Sequence, residues 1–436
     1  MSLPNFEVEF TKEGRVFDAA QVEAILDASQ SMTDLLVMSH GWNNDMGEAR
    51  KLYDDLTASI LAVAGDVPGI EERKLAVLRV FWPSKRFADK DLIPGGGAAS
   101  ASQENDDALV SALEELKRDP LRLGGMEIDP VREKILARAL ALVPDLEKDP
   151  TARRKYVLEL RSVLDPSQAS LDDGSAEFFT GDPLDFFSSL QKAVQAPGGQ
   201  MGGGATSFLG LGGAAGLEDL LSGVKAAARR IANFATYQTM KERAGTVGRT
   251  GLCQVLMRLR DRNPALKLHL IGHSFGGRLV TAAAHALPAD TSAVSLSLLQ
   301  AAYSHNGLAE EFDDQGHDGA FRALVSEKRA SGPIIITHTK NDRAVGIAYP
   351  LASRLSRDQA AALGDENDPY GGMGRNGAQR TPEAAGNADK MHEIGRQYQF
   401  QQGSIYNLKA DDFIADHGDV TGHQVAYAIL NATAVL

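Results

Sequence analysis

The sequence predicts an α/β fold with a mainly parallel sheet covered by helices on both faces. Short apolar runs alternate with helical patterns along the chain, and most of these runs are continuously apolar, as strands buried on both faces are. A Gly-x-Ser-x-Gly motif also stands at the end of one run and directly before a helical pattern. With 436 residues, the chain is long enough to bury a large core.

Six segments are predicted strands, five from continuous apolar runs and the sixth from partial alternation. In chain order they cover residues 35–39, 75–82, 266–271, 293–299, 333–337 and 398–408. Helical spacing of apolar residues fills several gaps between them, at 48–64, 276–287, 351–363 and 421–435. Strands that alternate with helices in this way predict crossover connections and therefore parallel pairing.

A long segment between the second and third strands interrupts this alternation. Residues 106–164 are charged with helical spacing, and residues 196–216 are rich in glycine yet apolar. We therefore expect a catalytic core of residues 1–83 and 236–436, with residues 84–235 inserted as a mainly helical cap or lid. The glycine-rich tract fits a mobile lid or pocket wall, although a loop without a role remains the alternative.

Composition excludes several classes of partner. The net charge of −13 argues against nucleic acid and against adsorption to anionic membranes, since both need concentrated Lys and Arg.

The single cysteine, Cys253, allows no intramolecular disulfide, and its apolar neighbours predict a buried helix position. We see no signal peptide and no stretch long enough to span a bilayer, so a cytoplasmic location is expected.

The motif Gly272-His273-Ser274-Phe275-Gly276 lies between a predicted strand and a predicted helix. In that setting the motif is typical of a nucleophile elbow, in which a sharp turn exposes the serine oxygen at the top of a sheet. Small residues flank the serine because the turn is strained and the helix packs closely. His273, the variable residue, is expected to pack beside the serine.

A serine hydroxyl needs a base within hydrogen-bond reach and a carboxylate that orients the base. Asp342 follows the isoleucine-rich strand and is the predicted acid, with Asp313 and Asp314 as weaker alternatives. His417, in a polar loop after the last predicted strand, is the favoured base. His423 is the alternative, although it falls in the first turn of a helix for which Thr421 is the expected N-cap.

The tetrahedral intermediate of acyl transfer requires hydrogen-bond donors for its oxyanion. The backbone N–H of Phe275 is one predicted donor, and the N–H of Trp42, after an early strand, is the other. Asn43, Asn44 and Asp45 are expected to order that loop by side-chain hydrogen bonds. Four further residues at the carboxyl ends of strands are predicted substrate contacts, namely His40, Gly41, Tyr303 and His305.

Taken together, these motifs resemble the α/β-hydrolase superfamily. The resemblance rests on His40-Gly41-Trp42, the elbow, Asp342 and His417, and it covers about residues 30–83 and 250–436. The chain looks most like uncharacterised bacterial and fungal hydrolases that share three segments with it, here 40–45, 82–84 and 237–245. The resemblance implies an eight-stranded, mostly parallel sheet with an inserted cap, although the insertion here precedes the usual position after the sixth strand.

The expected function is hydrolysis of carboxylic esters by a Ser-His-Asp triad through an acyl-enzyme. The expected substrate is a small ester with a hydrophobic acyl group, because of the apolar glycine-rich tract and the pairs Phe178-Phe179 and Phe186-Phe187. No metal or organic cofactor is expected. The alternatives are an amidase, peptidase or acyltransferase that uses the same triad, and a ligand-binding protein of this fold without turnover.

Overall fold

A computed structural model of the chain describes residues 3–42, 44–84, 109–114, 116–125, 127–191, 223–289, 294–342, 344–345, 370–384 and 388–436. The predicted helix at 351–363, the glycine-rich tract at 196–216 and Asn43 lie outside these residues.

The protein has an α/β architecture built on an eight-stranded sheet in which every pair of neighbours is parallel. In chain order the strands are Asn5–Glu9 (β1), Asp34–Ser39 (β2), Leu75–Phe81 (β3), Lys267–His273 (β4), Val294–Leu299 (β5), Ile334–His338 (β6), Ala388–Lys390 (β7) and Ile405–Lys409 (β8). Their spatial order is β1-β3-β2-β4-β5-β6-β8-β7. The predicted parallel α/β class is therefore confirmed.

The strand order reverses between β2 and β4, because the chain leaves β2 toward β3 on one side and continues with β4 on the other. Ser39 at the end of β2 is in register with Gly272 near the end of β4. The loops that follow these two strands are consequently neighbours. In open parallel sheets this crevice is where ligands bind.

Helices cover both faces of the sheet. Those in the described residues with assigned bounds are Ala19–Ser29 (α1), Met46–Val63 (α2), Pro130–Leu142 (α3), Pro150–Arg161 (α4), Ser175–Thr180 (α5), Pro183–Ser189 (α6), Val224–Thr246 (α7), Cys253–Arg262 (α8), Phe275–Ala286 (α9), Arg322–Ser326 (α10), Met373–Asn376 (α11) and His423–Ala434 (α12). One face carries α1, α7, α8 and α9, and its core includes Ile25 and Leu279. The other face carries α2 and α12, with Leu56 and Ile429 in its core.

A third apolar core lies within the predicted cap. It is formed by residues between 109 and 190 together with residues 224–235 of α7, and its rings include Tyr156 and Phe178. The helix α7 continues without a break past residue 235 to Thr246, so it crosses the predicted cap boundary. The cap and the sheet thus share one continuous helix.

Three local predictions differ from the structure. Strands β1 and β7 were not predicted; both lie at edges of the sheet, and β7 has only three residues. The predicted strand 398–408 shortens to Ile405–Lys409, because Tyr398 instead stacks on His392 with ring centroids 4.3 Å apart. Helix α12 is capped by Gly422 without a side-chain hydrogen bond, and not by Thr421.

Cys253 is buried at the start of α8, as expected. None of the helices in the described ranges has both the length and the apolar character needed to cross a membrane.

Candidate active site

Ser274 occupies the sharp turn between β4 and α9. Its backbone has φ 56° and ψ −124°, a conformation that a non-glycine residue rarely adopts. The turn leaves no room for larger neighbours, since a Cβ on Gly276 would lie 2.2 Å from the Ser39 carbonyl oxygen. The strained, tightly packed turn is the geometry predicted for a nucleophile elbow.

The structure brings Ser274, His417 and Asp342 together in one hydrogen-bonded line. His417 Nε2 lies 2.8 Å from Ser274 Oγ, and His417 Nδ1 lies 2.8 Å from Asp342 Oδ2. A carboxylate only accepts, so Nδ1–H donates to Asp342 and Nε2 is left to accept from the serine hydroxyl. This is the arrangement in which imidazole can remove the serine proton.

The surroundings of His417 adjust its basicity. Burial alone would lower its pKa, but the negative charge of Asp342 and the hydrogen bond to it outweigh burial and raise the pKa above 6.5. The alternative base, His423, is an exposed residue at the first position of α12. The structure therefore places His417, and not His423, against the serine.

Asp342 is fully buried in the loop after β6. Its Oδ1 accepts a 3.0 Å hydrogen bond from the Val345 N–H, while Oδ2 faces His417. The weaker alternative, Asp313, instead pairs with His317 at 2.7 Å in the loop between β5 and α10. Of the predicted carboxylates, Asp342 is thus the one that the fold brings to the base.

His273 does more than pack beside the serine, as was expected of it. Its Nε2 lies 2.8 Å from the carbonyl oxygen of His417, and the two imidazole rings have centroids 4.9 Å apart. Burial, and secondarily the nearby charge of His417, lower the pKa of His273 to about 3. A neutral His273 therefore donates a hydrogen bond that ties the loop of His417 to the strand that leads to Ser274.

The loop after β2 passes directly over the serine. A Cβ on Gly41 would lie 2.7 Å from Ser274 Cβ and 3.3 Å from its Oγ. Asn44 Nδ2 orders this loop by donating to the carbonyls of Gly41 and Trp42, at 3.3 and 3.1 Å, as predicted. Asp45 forms a capping box with Glu48 at the start of α2, which holds the far end of the loop.

The predicted oxyanion donors lie on the two sides of this crevice. Phe275 is the first residue of α9, where a backbone N–H has no acceptor within the helix. The half-buried indole of Trp42 meets the Phe275 ring edge-on, with centroids 6.0 Å apart. The roles of both N–H groups as oxyanion donors stay predictions that this geometry supports.

His40 was predicted to contact substrate, but its side chain has no exposed surface. Its Nδ1 lies 2.9 Å from the Gly41 carbonyl oxygen, and its ring stacks on Trp82 at 5.6 Å. Burial lowers the pKa of His40 to about 4, so the ring is neutral and Nδ1–H donates. The geometry gives His40 the position of a support beneath the loop rather than of a substrate contact.

Tyr303 and His305 follow β5 as expected, yet only 1% and 2% of their surfaces are exposed. The Tyr303 hydroxyl lies 3.2 Å from Thr281 Oγ1, and the His305 N–H donates to the Gly371 carbonyl at 2.8 Å. Residues 370–378, which we call the glycine strap, cover them. Residues 346–369, which precede the strap in the chain, lie outside the described residues.

Two aromatic pairs of the cap were expected to favour a hydrophobic acyl group. Phe178, Phe186 and Phe187 are instead buried in the cap's own core, where Phe178 packs on Phe234 at 4.8 Å. These three rings form part of the internal core of the inserted segment. They therefore do not support the expectation of a hydrophobic acyl group.

Two residues that hold Asp342 and its loop in place were not predicted from the sequence. Gln300 follows β5 and donates to Asp342 Oδ2 at 3.3 Å. Asn341 donates through Nδ2 to the carbonyls of Asp411 and Ile414, at 3.0 and 2.9 Å, which links the acid loop to the loop of His417. For Gln300 the available signal was a polar residue directly after an apolar strand, at the edge where sites form.

In the described part of the chain, no group of three or more His, Cys, Asp or Glu side chains is arranged to hold a metal ion. In comparisons with known proteins, no protein-family model, no curated protein and no solved structure matches this chain at a significant level.

Proposed function

We propose that this protein is a serine hydrolase of the α/β-hydrolase fold that cleaves carboxylic esters. The observation that carries the proposal is the line from Asp342 through His417 to Ser274, with both hydrogen bonds at 2.8 Å. The strained backbone at Ser274 and its place at the reversal of strand order support it further.

The acylation half of the reaction follows from this geometry. Ser274 Oγ attacks the carbonyl carbon of the ester while its proton passes to His417 Nε2. Asp342 stabilises the imidazolium that forms, and the N–H groups of Phe275 and Trp42 are the proposed donors to the oxyanion. When the tetrahedral intermediate collapses, the carbon–oxygen bond to the alcohol breaks and His417 returns the proton to that alcohol.

Deacylation repeats these steps with water. His417 Nε2 accepts a proton from the water as its oxygen attacks the acyl-enzyme carbonyl. Collapse of the second tetrahedral intermediate breaks the bond to Ser274 Oγ, which takes back the proton and releases the carboxylic acid. Proton transfer in each half therefore depends on His417 being neutral at the start.

The proposed substrate is a small ester whose acyl group contacts Trp42. This indole is half-buried and adjoins Phe275, so an apolar surface lies beside the nucleophile. Burial of apolar surface is the interaction that such a wall offers to an acyl chain. We propose no long-chain specificity.

The test is hydrolysis of p-nitrophenyl esters of increasing chain length by the wild type and by Ser274→Ala. We expect wild-type turnover that the substitution reduces by about three orders of magnitude or more. A fluorophosphonate probe should label the wild type and not the variant, because labelling requires an activated serine.

The outcomes separate the alternatives. A wild type that neither turns over esters nor is labelled would contradict the proposed function and favour a binding protein. Labelling without ester turnover would move the proposal to amide substrates or to acyl transfer, which added amines and alcohols would reveal as new products.

A further inference from the structure

Gln300 lies at the junction of three segments that frame the candidate site. It follows β5 directly and is fully buried. On one side is the loop of Asp342, and on the other is the glycine strap. Its amide nitrogen donates to both.

Every polar atom of the Gln300 amide has a partner. Nε2 donates to Asp342 Oδ2 at 3.3 Å and to the Gly374 carbonyl at 2.7 Å, while Oε1 accepts from Thr337 Oγ1 at 2.8 Å. The Thr337 donor and the Gly374 acceptor fix which end of the amide is nitrogen. The orientation of the amide that directs an N–H toward Asp342 is therefore fixed by the protein itself, whether or not substrate is bound.

The backbone of Gln300 is held in an unusual conformation. Its φ is 45°, in the left-handed region that a residue with a side chain seldom adopts. The strap presses closely against it, since a Cβ on Gly374 would lie 2.4 Å from the Gln300 carbonyl carbon. A strained residue beside a reactive centre is maintained by the surrounding structure and often serves that centre.

We propose that Gln300 is a positioning residue that holds the carboxylate of Asp342 in the orientation His417 requires. Asp342 Oδ2 receives both the His417 Nδ1–H and the Gln300 Nε2–H, whereas Oδ1 receives the Val345 N–H. With these three donors the carboxylate cannot turn without losing a hydrogen bond. Gln300 acts through Asp342 and does not touch the reacting atoms.

This inference rests on the proposed function and has a distinct consequence for catalysis. Asp342 raises the basicity of His417 only while the two are aligned. Loss of the Gln300 donor lets the carboxylate rotate, which weakens that alignment and leaves substrate binding untouched. The effect should therefore appear in kcat and in the acid limb of the pH profile more than in KM.

The test compares Gln300→Met, which keeps the length of the side chain, with the wild type and with Asp342→Asn. We expect kcat to fall about ten-fold, since a hydrogen bond to a buried charge is lost, while KM changes less than about two-fold. We also expect the acid limb of kcat/KM to move to lower pH, in the direction of Asp342→Asn.

Asn407→Ala is the matched control for the strap. Asn407 holds the far end of the strap through Ala378, with hydrogen bonds of 2.8 and 2.9 Å, and it does not contact Asp342. We expect this variant to lose stability while its acid limb stays where the wild type has it. An acid limb unchanged in Gln300→Met, or moved to higher pH, would overturn the positioning role.

Two further measurements keep the outcomes distinct. If Gln300→Met does not fold, Gln300→Glu supplies a carboxyl of the same shape, and its activity relative to wild type should fall further as rising pH ionises it beside Asp342. Activity that depends on Ser274 but not on Gln300 would reject this inference alone. If no ester is cleaved, the pH dependence of fluorophosphonate labelling replaces kcat/KM in the same comparison.

Discussion

His273 Nε2 lies 2.8 Å from the backbone carbonyl oxygen of His417, so the residue before Ser274 holds the loop that carries His417. The two residues come from β4 and from the loop between β8 and α12. The hydrogen bond joins these segments beside the reactive atoms. It fixes the main chain of His417, while Asp342 fixes its ring.

Replacing His273 should therefore impair catalysis without touching the triad itself. We expect His273→Leu to lower kcat/KM about ten-fold, because the His417 carbonyl loses its donor and the loop gains freedom. His273→Gln, whose amide nitrogen reaches a position similar to Nε2, should retain most of the activity. Steady-state kinetics on a p-nitrophenyl ester would measure both, and equal losses in the two variants would reject the role of the donor.

The pH profile should report the raised basicity of His417. The base must be neutral to accept the serine proton, so kcat/KM should rise with pH through a midpoint above 6.5. In Asp342→Asn the raising influence is lost; the midpoint should then fall, and kcat/KM should drop by roughly 10³ to 10⁴. A pH–rate series on both proteins would test this, and a shared midpoint would contradict the assignment of Asp342.

Gly41 should tolerate no side chain. In Gly41→Ala the new Cβ meets Ser274 Cβ at 2.7 Å, so the loop or the serine must shift away from the oxyanion position. We expect kcat/KM to fall by about two orders of magnitude or more. Gly65→Ala is the control, because its added Cβ meets only Glu71 Oε1, at 3.5 Å. Similar activities for the two variants would mean that the loop does not frame the site.

His40 and His273, which burial keeps neutral, should make the fold sensitive to acid. Burial lowers the pKa of His40 to about 4 and that of His273 to about 3, both from 6.5. The unfolded chain takes up these protons first, so the stabilisation is fully present above pH 6.5 and is lost as the pH falls toward the folded values.

At pH 5 each of these histidines should reduce the free energy of unfolding by about 2 kcal/mol relative to pH 7.5. Urea unfolding at the two pH values would measure the loss, and His273→Gln should lose about 2 kcal/mol less than the wild type. The same pH dependence in the variant would show that His273 is not held neutral by the fold.

The parts that sequence patterns predicted well are those set by local chemistry. Continuous apolar runs indicated the central strands to within a few residues, since such runs are stable only when covered on both faces. The sharp turn at Ser274 was predicted because strand, glycine and helix adjoin in the chain. Asp342 and His417 were found because each follows a strand whose carboxyl end meets the same edge of the sheet.

What escaped prediction depends on contacts between distant segments. The role of Gln300 requires its left-handed backbone and the approach of Gly374, and no local pattern encodes either. His40 was expected to contact the substrate, but its ring stacks on Trp82 and lies beneath the loop that follows β2. The phenylalanines of the cap were apolar as expected, yet apolar pattern alone does not distinguish a pocket wall from a core.

The position of β8 has a consequence for how the proposed active site forms. Strand β8 lies between β6 and β7, although β7 precedes it in the chain. Until residues 405–409 have been synthesised, β6 with its three consecutive isoleucines remains an unpaired edge of the sheet. Other chains can form strand pairs with such an edge. Because His417 follows β8 in the chain, its hydrogen bonds with Ser274 and Asp342 can form only after that edge has closed. In a refolding experiment, recovered ester turnover would therefore report completed folding. At high protein concentration, aggregation through the open edge of β6 should compete with that recovery.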